Sequence, residues 1–437
     1  MKKAIFFLLF IFSNSVFGQD VLSFKDCLDL AFKNNLQLKS AANSEKIAKY
    51  QYTASYGKLL PNLFGSIDNR NSWGREIDPN SNLFVNTDIR NYVGYINANF
   101  NLFAGFSALN SIRMNKQEVR INQTNIKRVE NAITIDLAEK FITILYLQDI
   151  ILANQEQIKS SENQLELALL KFNGGTIAES EVFKIRSQKA TEELNLLTNQ
   201  NRLTDNMVSL KQLMNIPLEK EIILIKPILK LDSNIDISQS PYEIIEKAIL
   251  VNPSYKMSLL REKKARAALA IARSSKYPLL SMRAQYGSNY TNTDEIFEFK
   301  DQLSNNEVNI FRLNLIIPIF AQMDNYSKSK TSKMLYKQAK VDTQITKNEL
   351  SQEVMKAITD TKTSIKKTEA SSIAFEFSEK SFQADALKFE LGKININELN
   401  VTKATYINSQ AQLIQSKYEL LYNNALIKFY LGEAFSL

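Results

Sequence analysis

Residues 106–173 read FSALNSIRMNKQEVRINQTNIKRVENAITIDLAEKFITILYLQDIILANQEQIKSSENQLELALLKFN, without a proline or a glycine. Ile112, Val119, Ile126 and Ile133 recur every seven residues. After a four-residue step Leu137, Ile144, Ile151, Ile158, Leu165 and Phe172 resume the same period, which is the seam of a coiled coil. At about 1.5 Å per residue such a helix reaches ~100 Å, more than a globular domain supports, so it needs helical partners along its length. Asn173-Gly174-Gly175 is the turn that ends it, and residues 176 to about 215 read as the returning helix.

The same arrangement recurs 217 residues later. Phe375, Phe382 and Phe389 keep the heptad, Leu391-Gly392-Lys393 makes the turn, and residues 394 to about 429 return. Other anchors hold that offset without a gap: Ser23 with Ser240, Ala31 with Ala248, Asn35 with Asn252, Pro61 with Pro278, and Phe103-Ala104 with Phe320-Ala321. Around the turns, Lys171-Phe172, Gly175, Ile177 and Glu181 match Lys388-Phe389, Gly392, Ile394 and Glu398. The number of identities is near chance; their clustering at the turns and at rare Pro and Gly positions is what identifies a tandem repeat. The expected organisation is a first repeat at 19–219, a linker at 220–239 with apolar alternation around Ile222 to Leu231, and a second repeat at 240–437.

Each repeat opens on a helix. Ser23 with Asp26 predicts an N-cap with a carboxylate three residues on, and Ser240-Pro241 with Glu243 predicts the same with Pro at the first helical position. These helices are expected to run to about Lys58 and Lys276, ending before Pro61 and Pro278. Beyond the prolines the period falls to two, predicting one β-hairpin per repeat, at about 61–103 and 278–320. Leu63, Gly65 and Ile67, then Ile96, Ala98, Phe100 and Leu102, form apolar faces. Leu280, Met282, Ala284 and Tyr286, then Phe311, Leu313, Leu315, Ile317 and Ile319, do so in the second repeat. Opposite them lie Ser66, Asp68, Arg70, Asn97, Asn99, Asn101, Arg312 and Asn314. Residues 74–90 and 291–307 read as polar loops. Two explanations fit these strands: a soluble sheet packed on a helical core, or membrane strands apolar toward lipid and polar toward a wet lumen. Trp73 and Tyr290, at corresponding positions near one end of the apolar face, suit an aromatic girdle. Four strands cannot close a barrel, and an open edge cannot sit in lipid, so spanning strands require several chains to share one barrel above a ring of coiled coils.

Composition narrows the chemistry. The 437 residues contain Gly 11 and Pro 8, roughly 2.5% and 2% against typical usage of about 7% and 5%. Turns are therefore scarce and helices long. There is no histidine and a single cysteine, Cys27, which excludes a disulfide within the chain, a thiolate zinc site and the commonest general base. No metal site or cofactor is expected. Residues 1–18 carry Lys2-Lys3, an apolar run and a small-residue site ending at Gly18, the pattern of a signal peptide, with an apolar stretch far too short to span a bilayer. The net charge of +8 falls to +6 without Lys2 and Lys3 and is dispersed, which gives no reason to expect nucleic acid. Its densest cluster, Arg261, Lys263, Lys264, Arg266 and Arg273, reads as a solvated helix face.

With the tandem repeat, the hairpins after the prolines, the long helices and the turns Phe172-Asn173-Gly174-Gly175-Thr176-Ile177 and Phe389-Glu390-Leu391-Gly392-Lys393-Ile394, the mature chain resembles the TolC-like outer-membrane factors of the outer-membrane efflux family. The resemblance implies a mainly α fold with β structure: an α-helical coiled-coil barrel in the periplasm and a twelve-strand outer-membrane barrel built by a homotrimer. It implies a passive duct for efflux or type I secretion that docks a periplasmic adaptor, itself bound to an inner-membrane transporter. The tips Gly174, Gly175, Thr176, Leu391, Gly392 and Lys393 would dock the adaptor, Glu379 and Asp385 would lie near an acidic constriction, and Asp68, Arg70, Asn97, Asn99, Asn101, Arg312 and Asn314 would line the lumen. No G-x-x-x-x-G-K-[ST] loop offers an energy source, and no enzymatic activity is expected. Cys27 follows the charged Lys25-Asp26 and supplies no lipid anchor, as in unlipidated members. The competing readings are an exported coiled-coil scaffold without a pore and, disfavoured by the absent histidine, an exported hydrolase.

Overall fold

The structure is a computed structural model, and it describes residues 20–78, 81–227, 240–294 and 296–437. The expected signal peptide and the later part of the linker, residues 228–239, lie outside the described residues. In chain order the elements are β1 (Asp20–Leu22), α1 (Phe24–Asn34), α2 (Leu36–Gly57), β2 (Asn62–Ser72), β3 (Arg75–Ile77), β4 (Phe84–Asn86), β5 (Ile89–Ala104), α3 (Ser107–Asn173), α4 (Glu179–Met214) and β6 (Ile222–Leu224). There follow α5 (Pro241–Val251), α6 (Pro253–Ser274), β7 (Leu279–Thr291), α7 (Phe299–Asn305), β8 (Val308–Ile316), α8 (Asp324–Glu390) and α9 (Ile396–Tyr430).

The helices repeat at the offset found in the sequence. α1 and α5 have 11 residues each, α2 and α6 have 22, α3 and α8 have 67, and each pair begins 217 residues apart. Eight left-handed backbone positions pair in the same way: Gly105 with Gln322, Phe106 with Met323, Gly175 with Gly392, and Asn215 with Gly432. Only glycine adopts that conformation without steric cost, so non-glycine residues held there mark a backbone course the fold imposes in both copies.

Each opening helix, expected to be continuous, is divided in two. The backbone N–H of Asn35 donates to the Ala31 carbonyl (2.8 Å), and that of Asn252 to Ala248 (3.0 Å). Asn35 Oδ1 then accepts from the N–H of Gln37 (2.8 Å) and caps α2, while Asn252 precedes Pro253, which starts α6. An Asn side chain that caps, and a proline that disfavours helical geometry in its predecessor, both end one helix and begin another. Ser23 and Asp26 form a complete capping box. Ser240 occupies the cap position of α5 without a side-chain bond, and Pro241 begins the helix.

The chain forms two compact units, each drawn from both repeats. One comprises Ala41–Asn125 and Pro253–Lys347 and holds an antiparallel sheet of order β2-β5-β7-β8. β8 stops at Ile316; Pro318 has no N–H to give a neighbouring strand, so Ile317 and Ile319, expected in the strand, fall outside it. A bulge lies between Asn101 and Phe103, so that Phe103 rather than Leu102 pairs with Leu280 on the apolar side. The segments expected as loops are structured: β3 and β4 pair, and α7 is pinned to the end of β7 by the buried Gln302. The side chain of Gln302 donates to the carbonyls of Thr291 (3.1 Å) and Phe297 (2.8 Å) and accepts from the Thr291 N–H (2.9 Å).

The other unit comprises residues up to Ser40, Ile126–Asn252 and Asn348–Leu437. Leu137, Phe141, Ile144 and Leu145 of α3 are fully buried in it, and Phe24 packs edge-on against Phe141 with centroids 5.5 Å apart. β1 and β6 pair in parallel. Cys27 is buried in α1, and burial pushes its thiol up to about 12, which keeps it protonated and unreactive. No helix among the described residues is long and apolar enough to cross a membrane.

Candidate functional site

The sheet register sorts the strand residues onto two faces. One row crosses all four strands through Leu63, Ala98, Ala284 and Phe311, and the next apolar row joins Phe100, Met282 and Leu313. The opposite face carries the row Asn62, Asn99, Arg283, Arg312 and the row Asn101, Ser281, Asn314. Ser66, Asp68, Arg70 and Asn97 share that polar face, so all eight residues expected there lie on one side. Asn97 is buried and accepts from Arg283 (3.5 Å); Arg70 is paired with Glu76. The apolar face is uncovered: Ile67 is 88% exposed and Phe311 67%. Among the described residues β2 pairs only with β5 and β8 only with β7, which leaves two open edges. Near one end Tyr92 and Tyr290 approach to 6.0 Å, and Tyr290 packs on Phe299 at 5.0 Å. Trp73 is exposed just beyond β2.

The two helical turns are backbone copies. The N–H groups of Gly174, Gly175 and Thr176 donate to the carbonyls of Leu170, Phe172 and Lys171; those of Leu391, Gly392 and Lys393 donate to Leu387, Phe389 and Lys388. Both are Schellman endings with glycine at the left-handed position, φ 72° and 71°. Their exits differ. Asn395 caps α9 by accepting from the N–H groups of Asn397 and Glu398, whereas Ala178 at the start of α4 offers no side-chain bond. The turns come together in a groove of about 690 Å³ lined by Thr176, Leu391, Gly392 and Lys393 together with Glu181 and Glu398. Gly174 and Gly175 lie beside this groove in sequence without lining it.

The two expected gate carboxylates have different surroundings. Asp385 binds Lys388 at 2.8 Å, and Glu379 lies beside the half-buried Tyr406, whose hydroxyl is held above its ordinary value first by burial and then by the charge of Glu379.

Reading apolar periodicity left polar interior residues unassigned. Lys403 of α9 is 2% exposed and bonds Glu192 of α4 at 2.9 Å. It also donates to Ser161 of α3, while Ser161 donates to Glu192 (2.5 Å) and Gln188 donates to Glu192 (3.0 Å). The charges are thus paired and their remaining lone pairs satisfied, the condition under which burial is tolerated. Nearer the turns, Lys171 donates to the carbonyls of Phe389 (2.9 Å) and Glu390 (3.0 Å), at the negative end of α8, with its amine over the Phe389 ring. Between these contacts, Ala168, Val182, Ile185, Phe389, Ile396 and Leu399 form an apolar cluster. Further along, Gln157 meets Gln410 (3.2 Å) and Tyr418 donates to Asp149 (2.7 Å). Inside the second helical hairpin, Thr361 and Thr368, then Ser364, Ser371 and Ser378, continue the heptad as buried hydroxyls. Ser371 and Ser378 bond Ser416 and Ser409 of α9. Their seven-residue spacing was the available sequence signal.

A family model described as outer membrane efflux protein matches residues 27–215 and 244–433. Among solved structures, CusC aligns with TM-score 0.81 at 14% identity, covering 97% of this chain and 96% of that one. VceC from Vibrio cholerae aligns with TM-score 0.80 at 13% identity over 94% and 97%. The Campylobacter jejuni CmeC outer membrane channel does so at 0.80 and 15% over 94% and 86%. No curated protein matches the chain in sequence. With both halves of the chain matched, this protein belongs to the outer membrane efflux protein family and resides in the outer membrane of a Gram-negative cell, extending into the periplasm.

Proposed function

We propose that three copies of this chain form a passive exit duct, the outer-membrane part of a tripartite efflux or type I secretion system. The observation that carries this reading is the sheet: its apolar face is uncovered and both edges are open. An ordinary sheet packed on a helical core hides that face, and an open edge is tolerated in lipid only when another strand closes it. Pairing β2 of one copy with β8 of the next satisfies both edges and turns the apolar face to outer-membrane lipid. Asp68, Arg70, Asn97, Asn99, Asn101, Arg312 and Asn314 then face the lumen, and the Tyr92–Tyr290 cluster with Trp73 sits at the interfacial girdle.

The groove formed by the two helical turns is the docking site for a periplasmic adaptor, which couples the duct to an inner-membrane transporter. Gly174, Gly175, Thr176, Leu391, Gly392 and Lys393 belong to those turns. Glu379 and Asp385 lie on the α8 segment leading to the second turn and bear on tip closure. Purified protein in a planar bilayer is expected to give step currents, and in detergent a heat-resistant trimer. A product that stays in water, without step currents, overturns the duct in favour of a scaffold.

A further inference from the structure

The repeat makes the contact between the two helical hairpins of one chain a template for a second contact. In the first seam, α3 and α4 supply Ser161, Ala168, Lys171 and Glu192, and α8 and α9 supply the Phe389 and Glu390 carbonyls, Ile396 and Lys403. Moved by 217 residues, the same positions are Ser378, Asp385, Lys388 and Ser409 on the second hairpin, facing Phe172, Asn173, Glu179 and Arg186 on the first. One chain cannot make this second seam, because its single first hairpin is already used. Exposure on the first hairpin agrees: Ile396 and Lys403 are buried, while their counterparts Glu179 and Arg186 are exposed, and Arg186 has no ion-pair partner among the described residues; on the second hairpin Ser378 and Ser409 are buried and bonded to each other. The occupant that fits is a second copy, since only the same repeat carries the matching backbone.

The two seams share a serine, Ser161 and Ser378, and differ in chemistry around it. Where the first seam packs Ala168 near Ile396, the second sets Asp385 near Glu179, two carboxylates in place of an apolar contact. Where Glu192 holds the buried Lys403, Ser409 faces Arg186 and offers no charge. Where Lys171 clasps the end of α8, Lys388 is diverted to Asp385 on its own helix at 2.8 Å. We infer that the seam between chains is the weak one, and that it parts when the turns open, while the seam within each chain stays locked. The inference rests on the trimer proposed above.

The test converts positions of the weak seam to their counterparts in the strong one. Ser409→Glu gives Arg186 a carboxylate, and Asp385→Ala frees Lys388 and removes one of the facing acids. Each variant is expected to dissociate from trimer to monomer in SDS at a higher temperature than wild type and to open less in planar bilayers. Adding Arg186→Gln to Ser409→Glu abolishes both gains. An unchanged or lowered dissociation temperature in variants with wild-type helical content overturns the inference, as does a gain that survives Arg186→Gln. Should Ser409→Glu fail to fold, Asp385→Ala decides alone. Native mass spectrometry of the wild type separates the two levels of failure: absence of a trimer removes the duct reading and the inference with it, whereas a trimer with indifferent variants removes only the inference.

Discussion

Replacing Glu192 by Gln tests whether the interior ion pair fixes how the two helical hairpins of one chain meet. Lys403 and Glu192 are each 2% exposed, and Glu192 accepts from Lys403, Ser161 and Gln188. Water cannot replace a lost partner at that depth. Glu192→Gln leaves an ammonium with Ser161 and a neutral amide, and removing one member of a buried pair costs about 3–5 kcal/mol. Lys403→Met leaves the opposite orphan at a similar cost. Removing both charges in one chain eliminates both orphans, and replacement of a buried pair by apolar groups is close to neutral. The double variant is therefore expected to be more stable than either single one, a coupling of several kcal/mol in a double-mutant cycle. At about 2 °C per kcal/mol for a large chain, each single substitution lowers the melting temperature by about 6–10 °C, read from the helical circular dichroism signal. Single losses below about 1 kcal/mol, or a double variant as unstable as the sum of the singles, would refute the pairing.

Three further outcomes follow from other parts of the chain. Substituting a bulky residue for Gly175 or Gly392 is expected to abolish transport and leave the trimer folded. An added Cβ meets nothing within 4 Å, so the cost is backbone strain of about 1–2 kcal/mol per site; unchanged export of a toxic substrate counts against the docking role. Gly287→Val brings its Cβ into the Gly94 carbonyl and the Tyr95 ring across the β5–β7 pair, and the amount of assembled protein in the outer membrane should fall sharply, with no rescue by Tyr95→Ala because the backbone oxygen remains. Tyr418→Phe removes a bond to a carboxylate, worth about 1.5–3 kcal/mol. Burial and then Asp149 hold the Tyr418 hydroxyl above its ordinary value of about 10, so its contribution is complete below that pH and declines as pH rises above it. The stability gap between wild type and Tyr418→Phe, measured from neutral to alkaline pH, should narrow only on the alkaline side.

The legible parts of the fold were those written as period or as punctuation. Heptads located α3 and α8, alternation located the strands and sorted their faces, and Pro61, Pro278, Gly175 and Gly392 marked the joints. The division of the opening helices at Asn35 and Asn252 was also written, in Pro253 and in the Asn identity itself, but its meaning depends on a cap bond that sequence pairs do not display. The bulge at Leu102 was not legible, since alternation continues through it in letters while the backbone skips a partner. The hydroxyl columns of α8 escaped because a search for apolar residues treats serine and threonine as solvent-facing. In a helix, Thr361 returns its hydroxyl to the Ala357 carbonyl and Thr368 to that of Ser364, and a side chain satisfied by its own helix can be buried as a small neutral group.

The chemistry of the site was hardest to read for a reason that the repeat itself supplies. Identities between the copies select positions where the backbone permits little else: a left-handed glycine, a strand-opening proline, an asparagine at a helix break. Such positions hold the fold and are alike in both copies. The contacts that distinguish one seam from the other lie where the copies disagree, Ala168 with Asp385, Glu192 with Ser409, Ile396 with Glu179. A comparison built on sameness passes over these residues, although each pair occupies one structural position and differs in charge. In a duplicated chain the shared offset gives the geometry, and the differences at that offset give each contact its own chemistry.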